Sequence, residues 1–347
     1  MNTKNITELS NYRLLGRSGL RVSPLCLGTM TFGTDWGWGS SKDVCREIFD
    51  TYVERGGNFI DTANFYTGGT SERMLGEFIK RLRTRLVLAT KYTLCIAPGD
   101  PNAGGNHRKS LVNSVETSLK NLKTDFIDLL WLHIWENRTP IDEIMRALDD
   151  MVRSGKVLYI GVSDTPAWKI SQANTMADFR GWSPFIALQI EYNLTERTAE
   201  RDLLPMAKDL NLAVTPWSPL AGGFLSCKPI SETKESGKRD LSKKLSETNL
   251  RIADKVREVA EITGRTSAQV ALNWLLQKPE VTSPIIGART TEQLEDNLAA
   301  LDFCLASEHL VELDNVSQIS LGFPHDFLNR DFIGNIITGN TVVEKRR

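Results

Sequence analysis

Four residues stand out by chemical type and by place: Asp61, Tyr66, Lys91 and His133. A carboxylate, a phenol, an amine and an imidazole gathered on one face suffice to move a proton onto a reacting oxygen. A phenol titrates near pH ~10, too high for easy donation at neutrality. A neighbouring ammonium stabilises the phenolate and lowers that value, and Lys91 can do this for Tyr66. A partly buried lysine tends to lose its own proton, and Asp61 can hold it charged and placed. His133, if neutral, can give one hydrogen bond to a substrate oxygen. The assignment makes Tyr66 a general acid, His133 an orienting donor and Asp61–Lys91 the pair that tunes the acid. Each residue alone has a bland reading. An Asp at a strand end caps a turn, a lone buried His is satisfied in the core, and a loop Tyr packs. Lys91 resists dismissal, because a lysine rarely ends a buried strand without a partner.

The elements that must position these groups are short apolar runs alternating with longer amphipathic ones. Strands are predicted at residues 24–29, 57–63, 85–91, 126–133, 157–163, 186–192, 212–218 and 282–288. Helices are predicted near 42–55, 71–82, 107–121, 140–153, 166–179, 198–210, 249–277 and 290–301. This alternation implies parallel strands with crossover helices, and near-continuous apolar strands imply burial on both faces. Eight such units predict an α/β fold, a (β/α)8 TIM barrel. The competing topology is an open doubly wound sheet, but the turn after the first strand reads Gly28-Thr29-Met30-Thr31-Phe32-Gly33 and lacks the G-x-G-x-x-G fingerprint. In a barrel, Asp61, Lys91 and His133 close the second, third and fourth strands, and Tyr66 follows the second. All four then meet at the C-terminal face.

The whole chain, 1–347, reads as a single barrel domain with its core at about 24–301, an N-terminal extension at 1–23 and a C-terminal tail at 302–347. Long loops follow strand three (Tyr92–Arg108) and strand seven (Leu220–Asn249), the second carrying the charged run SETKESGKRDLSKK. Long loops in compact domains are usually functional or disordered.

Composition excludes several function classes. The 347 residues carry 42 Lys+Arg against 43 Asp+Glu, a formal net charge of −1. So even a balance gives no general attraction to nucleic acid or to an anionic membrane. No apolar run reaches transmembrane length. The five cysteines (Cys26, Cys45, Cys95, Cys227, Cys304) are dispersed, without a C-x-x-C pair, as in reduced cytosolic proteins. A cytoplasmic location is expected. The remaining histidines (His107, His309, His325) lack paired ligand spacing, so no metal site is predicted.

Beyond these residues, the chain resembles the aldo-keto reductase superfamily from about Tyr12 to Leu301. The resemblance rests on YRLLGRSGLRVSPLCLGTMTFG, FIDTANFYTGGTSERMLGE, LVLATKY, LLWLH, GKVLYIGVS, LQIEYN, VTPWSPLAGGFL and PIIGARTTEQLEDN. The Gly-Ala-Arg after the eighth strand looks most like a bacterial, potassium-channel-β-like branch. The resemblance implies a barrel that binds NADPH without a Rossmann fold and places the catalytic tetrad on Asp61, Tyr66, Lys91 and His133. It implies hydride transfer to an aldehyde or ketone, reversibly, with Tyr66 protonating the oxygen.

It also implies cofactor contacts. Gly28, Thr29 and Met30 follow the first strand. Asp61 counts here as well as in the tetrad. Ser163 and Gln189 match carboxamide-binding positions, and Trp217 matches a ring that stacks on the nicotinamide. Ser218, Leu220 and Gly222 would track the pyrophosphate. Gly287, Arg289, Gln293 and Asn297 would hold the adenosine end, with Arg289 before a helix N-terminus suited to a 2′-phosphate. One departure is Asp164, where the family commonly has Asn; an ionised Asp accepts but does not donate.

The pocket mouth should draw on Phe32, Trp36, Trp38, Tyr66, His133, Trp135 and Trp168, with aromatic walls that suit a flat or apolar carbonyl compound or a sugar ring. The expected partner is that small molecule, and a homo-oligomer stays open. The alternative function is an NADPH-binding regulatory or interaction subunit resembling potassium-channel β proteins. A third is a metal-free barrel lyase or isomerase using Lys91 as a Schiff-base amine.

Overall fold

The computed structural model describes residues 8–226, 245–339 and 341–343. Cys227, the charged run at 231–244 and the first seven residues lie outside the described residues. Eight barrel strands run β1 (Cys26–Gly28), β2 (Phe59–Asp61), β3 (Val87–Tyr92), β4 (Ile127–Leu132), β5 (Val157–Ser163), β6 (Phe185–Glu191), β7 (Ala213–Trp217) and β8 (Ile285–Ile286). They pair in parallel in the order β8-β1-β2-β3-β4-β5-β6-β7. The last edge is bridged by a parallel contact between Val214 and Val281 and by the Thr282 N–H donating to Val214 O at 2.8 Å. The chain therefore forms the (β/α)8 barrel that the alternation of its sequence predicted.

Around the strands lie α1 (Lys42–Glu54), α2 (Thr70–Phe78), α3 (Arg108–Leu122), α4 (Ile141–Arg153), α5 (Ala167–Arg180), α6 (Leu203–Asp209), α7 (Glu247–Thr263), α8 (Ser267–Leu276) and α9 (Thr291–Leu298). The helices form because their apolar positions recur along one face. In α4, Ile144, Met145, Ala147 and Leu148 are buried while Arg146 and Asp150 pair on the outside. The long helix expected at 249–277 is two helices. Gly264 ends α7 at φ 63°, and Thr266 opens α8 with a capping box to Gln269. The helix expected at 198–210 begins as a 3-10 turn (Thr198–Glu200) and becomes α6 only from Leu203.

Residues on the strands alternate between the surrounding helices and the barrel interior. The interior column holds Cys26, Phe59, Val87, Ala89, Leu129, Trp131, Ala187, Ala213 and Ile285, a continuous apolar cluster. Leu15 and Val22 belong to the same cluster. Residues 13–22, placed outside the barrel core by the sequence reading, form a two-stranded hairpin (Arg13–Leu14 with Arg21–Val22) that seals the bottom of the barrel. Gly16 makes the close approach possible. It sits at φ 57°, and a Cβ there would lie 2.1 Å from Ile186 O.

The tail is also partly built in. α10 (Ser307–Ser317) packs on α7, and Asp314 accepts from Trp274 Nε1 at 3.0 Å and from Lys278 Nζ at 2.7 Å. Short helices α11 (His325–Leu328) and α12 (Asp331–Thr338) follow.

Gly161 is the tightest point of the wall on the β4–β5 side. A Cβ there would stand 2.4 Å from two ring carbons of Trp131, which is fully buried. Gly161→Ala is expected to lower stability by about 1–3 kcal/mol through overpacking. A shift of the urea midpoint to lower concentration measures this, and an unchanged midpoint refutes the packing argument.

Candidate active site

The same alternation that fills the barrel with apolar side chains puts polar ones at the tops of the columns. Asp61 stands two residues above Phe59, Lys91 two above Ala89, and His133 two above Trp131. Lys91 is fully buried and places its three ammonium hydrogens on three acceptors. They are an Asp61 carboxylate oxygen in close contact, Thr62 O at 2.8 Å and Tyr66 Oη at 2.9 Å. The other Asp61 oxygen accepts from Gln189 Nε2 at 3.0 Å. Tyr66 opens a 3-10 turn (Tyr66–Gly69) in which Thr67 takes φ 48°. The Thr67 hydroxyl secures that turn by donating to Phe32 O at 2.8 Å. The Tyr66 and His133 rings lie edge to face, 6.1 Å apart. The four predicted residues therefore converge.

Electrostatics sort their protonation states. Burial pulls the Lys91 ammonium down, but Asp61 and Tyr66 outweigh it and its pKa ends above the usual lysine value. Lys91 therefore stays charged. Burial pushes the Tyr66 phenol up, Lys91 pulls it down, and Asp61 pushes it up again, with a net rise above 10. The sequence reading expected a lowered phenol; in the protein by itself desolvation wins and Lys91 only limits the rise. Tyr66 thus keeps its proton through the neutral range and can still give it to an alkoxide, which is a stronger base than a phenolate. Burial, reinforced by the Lys91 charge, lowers His133 to about 3. Its imidazole is neutral, with a buried Nδ1 that has no partner.

The residues expected to hold a cofactor occupy the remaining strand ends. Ser163 and Gln189 sit opposite each other in the β5–β6 register. Gln189 spends its amide on Asp61, whereas the buried Ser163 Oγ has an unmet hydrogen bond. Trp217 ends β7, and its Nε1 donates to Asp164 Oδ1 at 3.0 Å. After it the backbone enters the left-handed region repeatedly, at Ser218 (φ 49°), Ala221 (51°), Gly222 (73°) and Gly223 (103°). Turns of this kind aim backbone N–H groups into a concavity that suits an anion. Leu220 is half-buried beside them. Gly287 is exposed, with open space where a side chain would go.

Other predicted contacts have structural occupations. Gly28 packs against β8, where a Cβ would meet the Ile285 side chain at 2.6 Å. The Thr29 hydroxyl donates to Asp61 O at 3.0 Å and joins Ser71 Oγ at 2.9 Å, propping the catalytic strand from below. Met30 is half-exposed beside it. Gln293 Oε1 accepts from the Arg289 N–H at 3.0 Å, and Asn297 Nδ2 donates to Gly287 O at 3.3 Å. These two side chains shape the turn that presents Arg289.

Sequence reasoning missed Thr31 and Ser40. Their hydroxyls donate to Ala288 O (2.8 Å) and Arg289 O (2.9 Å), stapling the first loop to the last. It also missed Asn64, three residues beyond Asp61, whose buried amide has both polar atoms unpartnered. A Thr, a Ser or an Asn in a loop gives no one-dimensional signal of such a link.

The aromatic residues expected at the mouth are placed differently from one another. Trp36 packs on Trp38 (5.6 Å), on Phe65 (5.8 Å) and edge-on to Tyr66 (6.5 Å). Trp135 lies on another side, its backbone N–H donating to Asp164 O. Phe32 is not at the mouth. It is fully buried, packed edge-on against Phe78 in the apolar layer between the barrel and its helices. Trp168 is 64 % exposed on α5 under the Lys169 ammonium, facing solvent rather than the tetrad. Among the described residues, no group of three or more His, Cys, Asp or Glu side chains could hold a metal ion.

The site joins a phenol to a buried cation, beside a neutral imidazole and a cluster of aromatic side chains. The sequence profile of the aldo/keto reductase family matches residues 24–318. The chain belongs to the aldo/keto reductase family. It is 40 % identical over 337 residues to a norsolorinic acid reductase of Aspergillus flavus, covering 93 % of this chain and 85 % of that one. It is 42 % identical over 322 residues to a norsolorinic acid reductase of Emericella nidulans, covering 90 % and 82 %. It is 37 % identical over 342 residues to an aryl-alcohol dehydrogenase [NADP(+)] of Phanerodontia chrysosporium, covering 92 % and 89 %. These relatives are fungal reductases and dehydrogenases. They correct the bacterial, potassium-channel-β-like placement suggested by Gly-Ala-Arg, since three residues at one strand end carry too little information to fix a branch. This aldo/keto reductase is an oxidoreductase.

A depressed His133 makes a test of folding in acid. The unfolded imidazole takes a proton at about 6.5, whereas the folded one resists until about 3. Between those values the unfolded state binds more protons, so stability falls as pH drops through the window. His133→Asn is expected to flatten that decline in chemical denaturation measured from pH 7 to 4. A variant as acid-sensitive as wild type would show that the folded ring is protonated.

Proposed function

We propose that this protein is an NADPH-dependent reductase of aryl aldehydes or ketones, running in reverse on the matching benzylic alcohols. The observation that carries the reading is the Lys91 ammonium bonded at once to Asp61 and to the Tyr66 hydroxyl, beside neutral His133. The substrate class is supported by the wall of Trp36, Trp38 and Phe65 on one side and Trp135 on another, and by relatives named norsolorinic acid reductase and aryl-alcohol dehydrogenase [NADP(+)]. A flat aromatic ring is held by aromatic side chains through offset or edge contacts.

NADPH, when bound, supplies hydride to the carbonyl carbon. The chain does the rest. Tyr66 gives its proton to the carbonyl oxygen as negative charge builds there. Lys91 stabilises the phenolate left behind, and Asp61 keeps Lys91 charged and aimed. Neutral His133 donates a ring N–H to the same oxygen and orients it. Ser163, with its unmet hydrogen bond, and Gln189 would hold the carboxamide, and Trp217 would carry the nicotinamide face. Backbone N–H groups from Ser218 through Leu220 to Gly222 would meet the pyrophosphate. Gly28, Thr29 and Met30 would border the cofactor from the first strand. Gly287, Gln293 and Asn297 would shape the adenosine end, where the Arg289 guanidinium suits a 2′-phosphate.

Tyr66→Phe is expected to lower kcat by roughly 10²–10⁴-fold while NADPH binding persists, which steady-state kinetics and fluorescence titration measure together. Turnover at the wild-type rate would take the acid role from Tyr66. Arg289→Ala should raise the Kd for NADPH at least about tenfold, the scale of a lost charged hydrogen bond, with NADH little changed. Equal weakening of both cofactors would remove the phosphate assignment. A panel pairing benzaldehydes and aryl ketones with aliphatic aldehydes should show higher kcat/KM for the aryl members; a uniform panel refutes the aromatic wall as a selector.

A further inference from the structure

Asp164 stands directly after β5, one residue past Ser163, and takes φ 41°. That left-handed backbone is uncommon for a side chain other than Asn, Asp or Gly. Three separate elements meet on it. The Trp135 N–H, from the loop after β4, donates to its carbonyl at 3.4 Å, and its own N–H donates to Gln189 O on β6 at 3.4 Å. Its carboxylate reaches past β6 to β7, where Oδ1 accepts from Trp217 Nε1 at 3.0 Å. The residue after Trp217 is held from the same side, because buried Asn193 donates through Nδ2 to Ser218 O at 3.1 Å.

We propose that Asp164 is a positioning residue that fixes the plane of the Trp217 indole across the top of the barrel. Trp217 is partly buried against the interior cluster and has a single polar atom, the indole N–H. One acceptor therefore decides which way round the ring sits, since a flipped indole would leave that donor unmet. An aspartate offers oxygen only, so it cannot turn a donor toward the indole as an amide can. With one carboxylate oxygen committed to Trp217, the adjacent Ser163 Oγ, buried and unpartnered, is the group left for a ligand amide. This inference rests on the redox reading only in treating Trp217 as the cofactor's platform.

Two variants test the hydrogen bond. Asp164→Gly removes the side chain and suits φ 41° without strain. Asp164→Asn keeps an acceptor oxygen and removes the charge. Each is measured alone and together with Trp217→Phe, so that the difference in near-ultraviolet circular dichroism isolates the Trp217 contribution in the protein without added cofactor. The Trp217 contribution is expected to persist in Asp164→Asn and to be largely lost in Asp164→Gly. Asp164→Gly should also raise KM for NADPH about fivefold to tenfold with a smaller change in kcat. An undiminished Trp217 signal in Asp164→Gly overturns the positioning role. The dichroism needs neither cofactor nor turnover, so failure of wild type to bind NADPH would strike the redox reading alone.

Discussion

A fully buried ammonium is tolerable only where its charge and its three hydrogens are all met, because removing one partner strands a charge in a low-dielectric interior. Lys91 meets that demand with Asp61, Thr62 O and Tyr66, drawn from the end of β2 and the turn that follows it. The surrounding contacts answer to this arrangement. Gln189 satisfies the second oxygen of Asp61. Thr29 and Ser71 brace the Asp61 backbone. On the outer face of β3, Thr90 donates to buried Glu72 at 2.7 Å, and Asn121 donates to its other oxygen at 3.0 Å. The Tyr66 phenol thus sits at the rim of a polar network rather than on a free loop.

Parallel connectivity converts chain order into spatial order, and the site divides accordingly. The second, third and fourth strands bring together the carboxylate, the amine and the imidazole, with the phenol on the turn after the second. The last four supply the groups suited to hold a ligand: Ser163, Gln189, Trp217 with its left-handed loop, and Gly287. Both halves share one construction. The two-residue period of a strand stacks an apolar floor beneath each polar top, so that Phe59, Ala89 and Trp131 fix the height at which Asp61, Lys91 and His133 emerge. A hairpin of two-residue strands closes the opposite end.

The eight strands were legible because burial on both faces leaves near-continuous apolar runs of strand length, and the tetrad was legible because ionisable groups at the ends of such runs are conspicuous. Other features left no comparable trace. The hairpin at 13–22 is too short for any periodicity. The break at Gly264–Thr266 lies between two helices whose apolar stripes merge in one dimension. Phe32 and Trp168 both looked like pocket residues, yet one packs into the core against Phe78 and the other is turned outward on α5. The sign of the Tyr66 shift could not be read either, since it is a difference between desolvation, which depends on packing all round the phenol, and the pull of one cation.

The amino-acid sequence alone determined the barrel, its strand count and the identity of the four residues that meet at its mouth, because those follow from periodicity and from which residue types end each strand. The tertiary structure alone decided which hydrogen bonds those residues keep for themselves and which remain open to a ligand. Thr29, Gln293 and Asn297 turned out to be engaged in shaping the backbone, Ser163 turned out to be unsatisfied, and Asp164 turned out to reach Trp217 across an intervening strand. Hydrogen bonding is directional and short-ranged, so it is settled by distances of a few tenths of an ångström that no spacing along a chain records.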